Sequence, residues 1–215
     1  MEYKNVFNEK AKEYDQWFVE NDRLFFSELE AIRALLPAEG KGIEIGVGTG
    51  LFAKELGICA GIEPSVKMAE IARSRGIDIH LASAEEMPVE DEIFDYALMV
   101  TVDSFLTDVA QAFGEVYRIL KKDGVFVIAF IDRATPLGEK YEAKKATSDY
   151  YRNARFYTAA EIEEFLHRAG FAVTMKRQTI FSFDNAIQEH KNGTGQGVFA
   201  VLRAEKSDGK NKNEK

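Results

Sequence analysis

"IEIGVGTG", Ile43 to Gly50, decides the fold of this chain. An apolar strand pattern runs into glycines at 46, 48 and 50, and "LFAKELG" then reads as a short helix. Glycine turns between a strand and a helix bring the backbone close to a ligand at the helix N-terminus. An acid, Glu44, stands two residues before the first glycine. The stretch therefore predicts a ligand crevice at the carboxyl end of a buried strand.

Strands and helices alternate from this stretch to residue 131. Short apolar strand patterns are separated by helical patterns in "SVKMAEIARSRG", with Ser65 as N-cap, and in "DVAQAFGEVYRILKK". Such βαβ units predict a mostly parallel sheet covered on both faces, the α/β, Rossmann-like, doubly wound architecture. The strand patterns are "KGIEIGV", "ICAGIEP", "IDIHLA", "EIFDYALMV" and "VFVIAFI".

The flanking segments differ from this repeat. Residues 1–37 predict an N-terminal helical cap, helical from Val6 to Leu36, and the charged and aromatic residues 132–157 predict a lid-like insert. Thr158 and Glu161 form a capping box before a late helix. Two β-like segments, "FAVTMKRQTIF" and "GVFAVLRAE", predict an antiparallel pair. We expect one domain over 1–205 and a disordered tail over 206–215.

Composition narrows the class of protein. The net charge of -8 disfavours a protein that mainly wraps nucleic acid or binds anionic membrane. No apolar run reaches the ~20 residues that span a bilayer. The single cysteine, Cys59, excludes an internal disulfide, and its apolar context predicts burial. We expect a cytoplasmic protein with no membrane partner and no metal site, and nucleic acid is not the expected partner; the sequence does not specify an oligomeric state.

The acids decide which ligand the glycine turn receives. A dinucleotide fingerprint needs a third glycine where this chain has Leu51. Glu44 would repel a pyrophosphate and would favour a cation such as S-adenosylmethionine, which has a sulfonium, an ammonium and no phosphate. Glu63, at the end of the second strand, is placed to accept hydrogen bonds from ribose hydroxyls. As alternatives, Glu44 is a surface carboxylate and Glu63 only stabilises the following helix N-terminus.

The chain resembles the class I S-adenosylmethionine-dependent methyltransferases, and within them the quinone-biosynthesis-type and small-molecule subgroup. The resemblance runs from about Val6 to Arg203. It rests on "IEIGVGTG", "GIEPSVKMAEIA", "ASAEEMPVEDEIFD", "EVYRILKKDGVFVIAF" and "FYTAAEIEEFLHRAGF", in the family's order. It implies a seven-stranded sheet with the last strand antiparallel, S-adenosylmethionine as cofactor and methyl transfer to an acceptor.

The resemblance also implies roles for individual residues. Glu44 would contact the amino-acid end of the cofactor, and Glu63 would hold its ribose. Ser83 replaces the acid that the family commonly has beside the adenine. The full set of implied cofactor-binding residues is Glu44, Gly46, Gly48, Gly50, Glu63, Pro64, Ser65, Met68, Ser83, Ala84, Glu85, Thr101 and Val102.

The acceptor side is less determined by the sequence. Asp103, after the fourth strand, is the candidate that would face the cleft and steer or deprotonate an acceptor, and a loop-capping role is its alternative. Tyr14 and Trp17 of the cap and Tyr150 and Tyr151 of the insert are candidates for a pocket that binds a small-molecule methyl acceptor. Helix packing is the alternative for these aromatics. An RNA or protein methyltransferase, a non-catalytic S-adenosylmethionine-binding protein and a nicotinamide-dependent reductase remain open alternatives.

Overall fold

A computed structural model describes residues 2–207, and within them one eight-stranded sheet forms the centre of the fold. Its strand order is β3-β2-β1-β4-β5-β8-β6-β7. The first five strands in that order are parallel, and β8 runs antiparallel to both β5 and β6. The strands are β1 (Gly42–Ile45), β2 (Ala60–Ile62), β3 (Asp78–His80), β4 (Phe94–Val100), β5 (Leu120–Ile131), β6 (Phe171–Thr179), β7 (Lys191–Asn192) and β8 (Phe199–Lys206).

Helices cover both faces of the sheet. They are α1 (Glu2–Glu9), α2 (Ala11–Glu20), α3 (Asp22–Arg33), α4 (Leu51–Leu56), α5 (Val66–Ser74), α6 (Val109–Ile119), α7 (Pro136–Lys144) and α8 (Ala159–Arg168). Two predicted caps are confirmed: Ser65 accepts a hydrogen bond from the Met68 amide, and Thr158 forms a reciprocal capping box with Glu161. The predicted α/β fold and the antiparallel pair are confirmed.

The core lies on both sides of the sheet, as a buried parallel sheet requires. Along β5, Val127 and Ala129 face one apolar cluster while Phe126 and Ile128 face the other. Phe113 of α6 is wholly buried and packs edge-on against Phe126, with 5.3 Å between ring centroids. This double-sided core fixes the carboxyl ends of β1, β2, β4 and β5 at one edge, where the site is built.

The structure corrects several details of the sequence interpretation. The N-terminal region is three helices because Lys10 and Asn21 leave helical geometry, and the Asn21 amide caps the end of α2 at the Trp17 carbonyl. The sheet has eight strands and not seven, since the two-residue β7 pairs with β6. Residues 120–122, predicted as helix, begin β5.

The end of β8 and the exposure of Cys59 also differ from the sequence interpretation. Lys206, predicted to open the tail, ends β8, and the rest of the predicted tail from residue 208 lies outside the described residues. Cys59 is exposed and not buried, because it precedes the buried part of β2. Among the helices of residues 2–207, none combines the length and apolarity that crossing a membrane needs.

Candidate active site

The glycine turn has three left-handed residues, and their surroundings are of two kinds. Gly46, Gly48 and Gly50 have φ of 68°, 56° and 82°, a region that side chains rarely adopt. A Cβ on Gly46 would lie 2.4 Å from Val102 Cγ2, and one on Gly50 would lie 2.3 Å from Ile77 Cδ1. A Cβ on Gly48 would meet no atom within 4 Å. Gly46 and Gly50 therefore pack the turn, whereas Gly48 faces open space.

Glu63, at the carboxyl end of β2, braces this turn. Its Oε2 accepts a hydrogen bond from the Gly48 amide at 2.8 Å, and its Oε1 accepts one from the Ser65 amide at 2.7 Å. Two backbone donors align the carboxylate toward the turn. The second acid of the sequence pattern is thereby held against the glycines.

Glu44, on β1, is a buried acid with an unsatisfied oxygen. Its side chain is 2% exposed, and within residues 2–207 its Oε2 has no hydrogen-bond partner. Burial raises the pKa of Glu44 well above the usual range, and the Glu63 charge adds to this, although the Ala53 amide opposes it. A cation placed nearby would reverse this shift and ionise the carboxyl group.

A cleft runs along the glycine turn and the ends of β2 and β4; we call it the turn cleft. None of the described residues that line it is basic, so none of them could form an ion pair with a phosphate. Its lining consists of Phe7, Tyr14, Gly46, Gly48, Glu63, Pro64, Met68, Val100, Thr101, Val102 and Phe105, and it continues into a small recess formed with Ser83, Ala84, Glu85 and Leu106.

The structure brings most of the predicted cofactor residues to this cleft and its recess. Three of them do not line it. Glu44 is buried beside the turn, Gly50 packs against Ile77, and Ser65 is buried as the cap of α5. Those that do are Gly46, Gly48, Glu63, Pro64, Met68, Ser83, Ala84, Glu85, Thr101 and Val102.

A second cavity, of about 210 Å³, lies under the N-terminal helices; we call it the aromatic cavity. Glu28 of α3 is the one charged side chain among the described residues that line it. All four predicted pocket aromatics line it, together with residues from α3, α4, α7, β8 and the segment after β6. The lining is Tyr14, Trp17, Phe18, Leu24, Glu28, Phe52, Val100, Thr101, Ile131, Tyr141, Tyr150, Tyr151, Ile180, Phe183, Val198 and Phe199.

The two spaces adjoin. Tyr14, Val100 and Thr101 line both of them. Thr101 has φ of 55° and Ile180, on the far wall of the aromatic cavity, has φ of 58°. Left-handed backbone is strained for β-branched residues and is concentrated at functional sites. The junction at Thr101 is thus the strained point where the cleft meets the cavity.

Polar contacts hold the N-terminal helices over this junction. Asn8 accepts hydrogen bonds from the Ser65 hydroxyl at 2.8 Å and the Lys67 amide at 3.1 Å. Asp15 of α2 forms an ion pair with Arg75, and Arg75 also donates to the Thr49 carbonyl in the glycine turn. The N-terminal helices α1 and α2 are therefore bonded directly to α5 and to the glycine turn.

The structure does not place Asp103 at the cleft, where the sequence interpretation expected it. Its side chain is wholly buried in a short 3₁₀ turn and lines neither the turn cleft nor the aromatic cavity. The turn directs its Oδ2 to the Ser104 hydroxyl, and burial raises the pKa of Asp103 to about 7. This position fits the alternative role of ordering the loop after β4, and the catalytic role of Asp103 stays a prediction.

Several site residues were missed by sequence reasoning. Glu28 lies on the amphipathic helix α3, where the sequence pattern predicts that an acid is exposed to solvent. Only the fold shows that Glu28 lines the cavity. Phe7, Phe105 and Phe183 come from distant segments and give no local signal. The one sequence feature that could have indicated Phe105 is its position soon after the carboxyl end of β4.

The residues at the turn cleft fit S-adenosylmethionine and not a dinucleotide. Two carboxylates, one of them buried with an unsatisfied oxygen, stand beside an open glycine position, and no basic side chain of residues 2–207 lines the cleft. This donor set favours a positively charged ligand with ribose hydroxyls and disfavours a pyrophosphate.

Comparison with known proteins agrees with this chemistry. Residues 43–128 match the model of a methyltransferase domain. A crystal structure of an S-adenosylmethionine-dependent methyltransferase from Thermotoga maritima, described as a possible histamine N-methyltransferase, is 44% identical. It superposes with a TM-score of 0.91 and covers 94% of this chain and 99% of its own.

Two further relatives extend the comparison. An uncharacterised protein of Methanocaldococcus jannaschii is 43% identical over 94% of this chain and 99% of its own length. The malonyl-[acyl-carrier protein] O-methyltransferase of Geobacter sulfurreducens is 28% identical over 78% of this chain and 69% of its own. The fold, the acidic glycine turn and these relatives together show that the chain belongs to the class I S-adenosylmethionine-dependent methyltransferases.

Proposed function

We propose that this enzyme transfers a methyl group to a small molecule bound in the aromatic cavity. The observation that carries the proposal is the junction: Tyr14, Val100 and Thr101 line the turn cleft and the aromatic cavity at once. A donor in the cleft and an acceptor in the cavity would meet there. In-line transfer needs this close placement of the two reactants.

On the cofactor side, we propose that the turn cleft holds S-adenosylmethionine. Glu63, already aligned by two amides, would accept the ribose hydroxyls, and Gly48 would let the ligand lie against the backbone. Glu44 would offer a negative charge to the amino-acid end, directly or through water. The recess at Ser83, Ala84 and Glu85 would hold the adenine.

The chain's own contribution to catalysis is positioning and exclusion of water. When bound, S-adenosylmethionine supplies an electrophilic methyl group on a sulfur that is already a good leaving group. Thr101 and Val100 fix the floor of the junction, while Tyr14 on α2 closes it from above. The tether from Asp15 to Arg75 keeps α2 in that place and so keeps the junction dry.

The size and cover of the cavity support a small acceptor over RNA or protein. The space is about 210 Å³ and is lined by residues of α2, α3 and the 132–157 insert, a size suited to a small molecule. Histamine, in the description of the Thermotoga relative, is a small molecule, whereas the Geobacter relative acts on a carrier-bound acyl group. The proposal of a small acceptor rests on the volume and the aromatic lining of the cavity and not on either relative's substrate.

The test is methyl transfer from labelled S-adenosylmethionine into a deproteinised small-molecule extract, with total RNA and protein as parallel acceptors. We expect label in the small-molecule fraction only. Trp17→Ala, which opens the cavity wall, should reduce this transfer about tenfold, whereas Phe26→Ala, an equally exposed aromatic outside both spaces, should not. Label found only in RNA or protein would contradict the proposal.

A further inference from the structure

The aromatic cavity holds a carboxylate, Glu28, that has no polar partner among residues 2–207. Within the described residues, the Glu28 carboxylate accepts no hydrogen bond and has no ion-pair partner. It shares the cavity with the rings of Tyr14, Trp17, Tyr141, Tyr151 and Phe183, and its charge acts on the three tyrosines. A half-buried, unpaired carboxylate is costly, and proteins keep one where a ligand completes it.

The partner that this cavity lacks is a cation. A carboxylate attracts a positive charge directly, and aromatic faces attract one through their quadrupoles. No Lys, Arg or His from the described part of the chain lines the cavity, so no internal cation competes for Glu28. Neutral acceptors, such as alcohols or phenols, would donate a hydrogen bond to Glu28 but would bring no positive charge to the carboxylate, and hydrogen bonds between two charged partners are the stronger ones.

We infer that the acceptor is an amine with an aromatic or apolar body, whose ammonium group is bound by Glu28. This inference rests on the proposed methyl transfer and names the substrate class for it. The apolar body would pack among the rings, and the nitrogen would lie between Glu28 and the junction at Thr101. Glu28 is then the specificity-determining residue of the site.

The methyl transfer balances with Glu28 as proton acceptor. The bound ammonium gives one proton to the Glu28 carboxylate, which frees the nitrogen lone pair. That lone pair forms the N–C bond as the methyl C–S bond breaks and its electron pair goes to sulfur. The product nitrogen is again a cation, and its charge pairs with Glu28 once the carboxyl proton has passed to solvent.

The protonation behaviour of the cavity is consistent with this role. Burial raises the pKa of Glu28 to about 8. The groups that face it are Tyr14, Tyr141 and Tyr151, and burial together with the Glu28 charge raises the pKa of each phenol, so all three stay neutral at pH 8. Ionisation of Glu28 is then the one change expected in the lining between pH 6 and 9, and amine kcat/KM should rise through it.

The experiment compares matched ligand pairs on the protein saturated with S-adenosylhomocysteine. The probes are 2-phenylethylamine against 2-phenylethanol, and 3-phenylpropylamine against 3-phenylpropanol, titrated into wild type, Glu28→Gln and Glu30→Gln. Glu30 is the matched control because it lies on the same helix and pairs with Arg33 outside the cavity. Melting temperatures check that each variant is folded, and mass spectrometry with S-adenosylmethionine detects the N-methylated product.

We expect the wild type and Glu30→Gln to bind the amines at least tenfold tighter than the alcohols, and Glu28→Gln to lose that preference while S-adenosylhomocysteine affinity is unchanged. Amines that bind no better than their alcohols, or bind Glu28→Gln as well as wild type, would overturn the inference. Because S-adenosylhomocysteine binding is measured in the same samples, its loss would instead show that the methyl-transfer proposal fails, and the inference with it.

Discussion

Gly48→Ala is the substitution that most cleanly separates ligand space from folding. An alanine Cβ at this position meets no protein atom within 4 Å, so it creates no internal clash. It does project into the turn cleft, which Gly48 lines. Gly57 offers a matched control, since it also has positive φ, 72° against 56°, and its Cβ also meets nothing, but it ends α4 outside the cleft.

The magnitudes follow from these two facts. Forcing alanine into left-handed backbone costs about 1–2 kcal/mol, which in a chain of this size lowers Tm by about 2–8 °C. Both variants should show that loss. Only Gly48→Ala should place a methyl group against the ligand, and overpacking of about 1–3 kcal/mol raises the Kd by about 5- to 150-fold.

The assay is calorimetric titration of S-adenosylhomocysteine into wild type, Gly48→Ala and Gly57→Ala, with thermal melts of the same samples. We expect similar Tm losses in the two variants and weakened binding in Gly48→Ala alone. Equal affinity in all three proteins would refute the placement of the ligand along Gly48. Equal weakening in both variants would show that strain, and not ligand space, sets the affinity.

The same geometry sets the expected effects of three other substitutions. Glu63→Gln removes the charge from the proposed ribose hydrogen bonds, so the Kd of S-adenosylhomocysteine should rise about 10- to 150-fold by calorimetry, and an unchanged Kd would contradict that role. Asp15→Asn breaks the partly buried ion pair to Arg75, so it should weaken S-adenosylhomocysteine binding about fivefold and speed amide hydrogen exchange in α2. Unaltered exchange would show that this ion pair does not hold the helix. Burial raises the pKa of Asp103 to about 7, against about 4 in the unfolded chain, so its carboxyl group destabilises the fold increasingly as the pH rises from 4 to 7. Between pH 5 and pH 8, the unfolding free energy of Asp103→Asn should therefore rise by up to about 3 kcal/mol relative to wild type, as measured by urea titration. A difference that does not change with pH would argue against this reasoning.

Much of the fold could be predicted because its signals are local. The apolar strands, the glycine turn and the caps at Ser65 and Thr158 depend on neighbouring residues, and each appears where the sequence indicated. The break of the N-terminal helix at Lys10 and Asn21 could not be read in this way, because the helical period continues through it. Its cause is tertiary: α1 turns to reach Ser65, and α2 turns to cover the glycine turn.

The site residues likewise divide into those that local sequence signals predict and those that depend on tertiary packing. Glu63 and the glycines stand at strand ends, where topology brings ligand-facing residues together. Asp103 also follows a strand, yet a 3₁₀ turn buries it, and nothing in "TVDS" distinguishes the two outcomes. Glu28 was invisible because a lone acid on a helix is usually solvated, and only the packing of α3 under the 132–157 insert makes it part of a cavity.

The most direct measurement of the central claim is a pair of titrations on the wild-type protein, S-adenosylhomocysteine and NADH, each followed by calorimetry. The buried Glu44, the braced Glu63 and the absence of basic side chains along the described lining of the turn cleft predict micromolar binding of S-adenosylhomocysteine and none of NADH. Binding of NADH, or failure of S-adenosylhomocysteine to bind, would contradict the account of the glycine turn from which the rest of the site is argued.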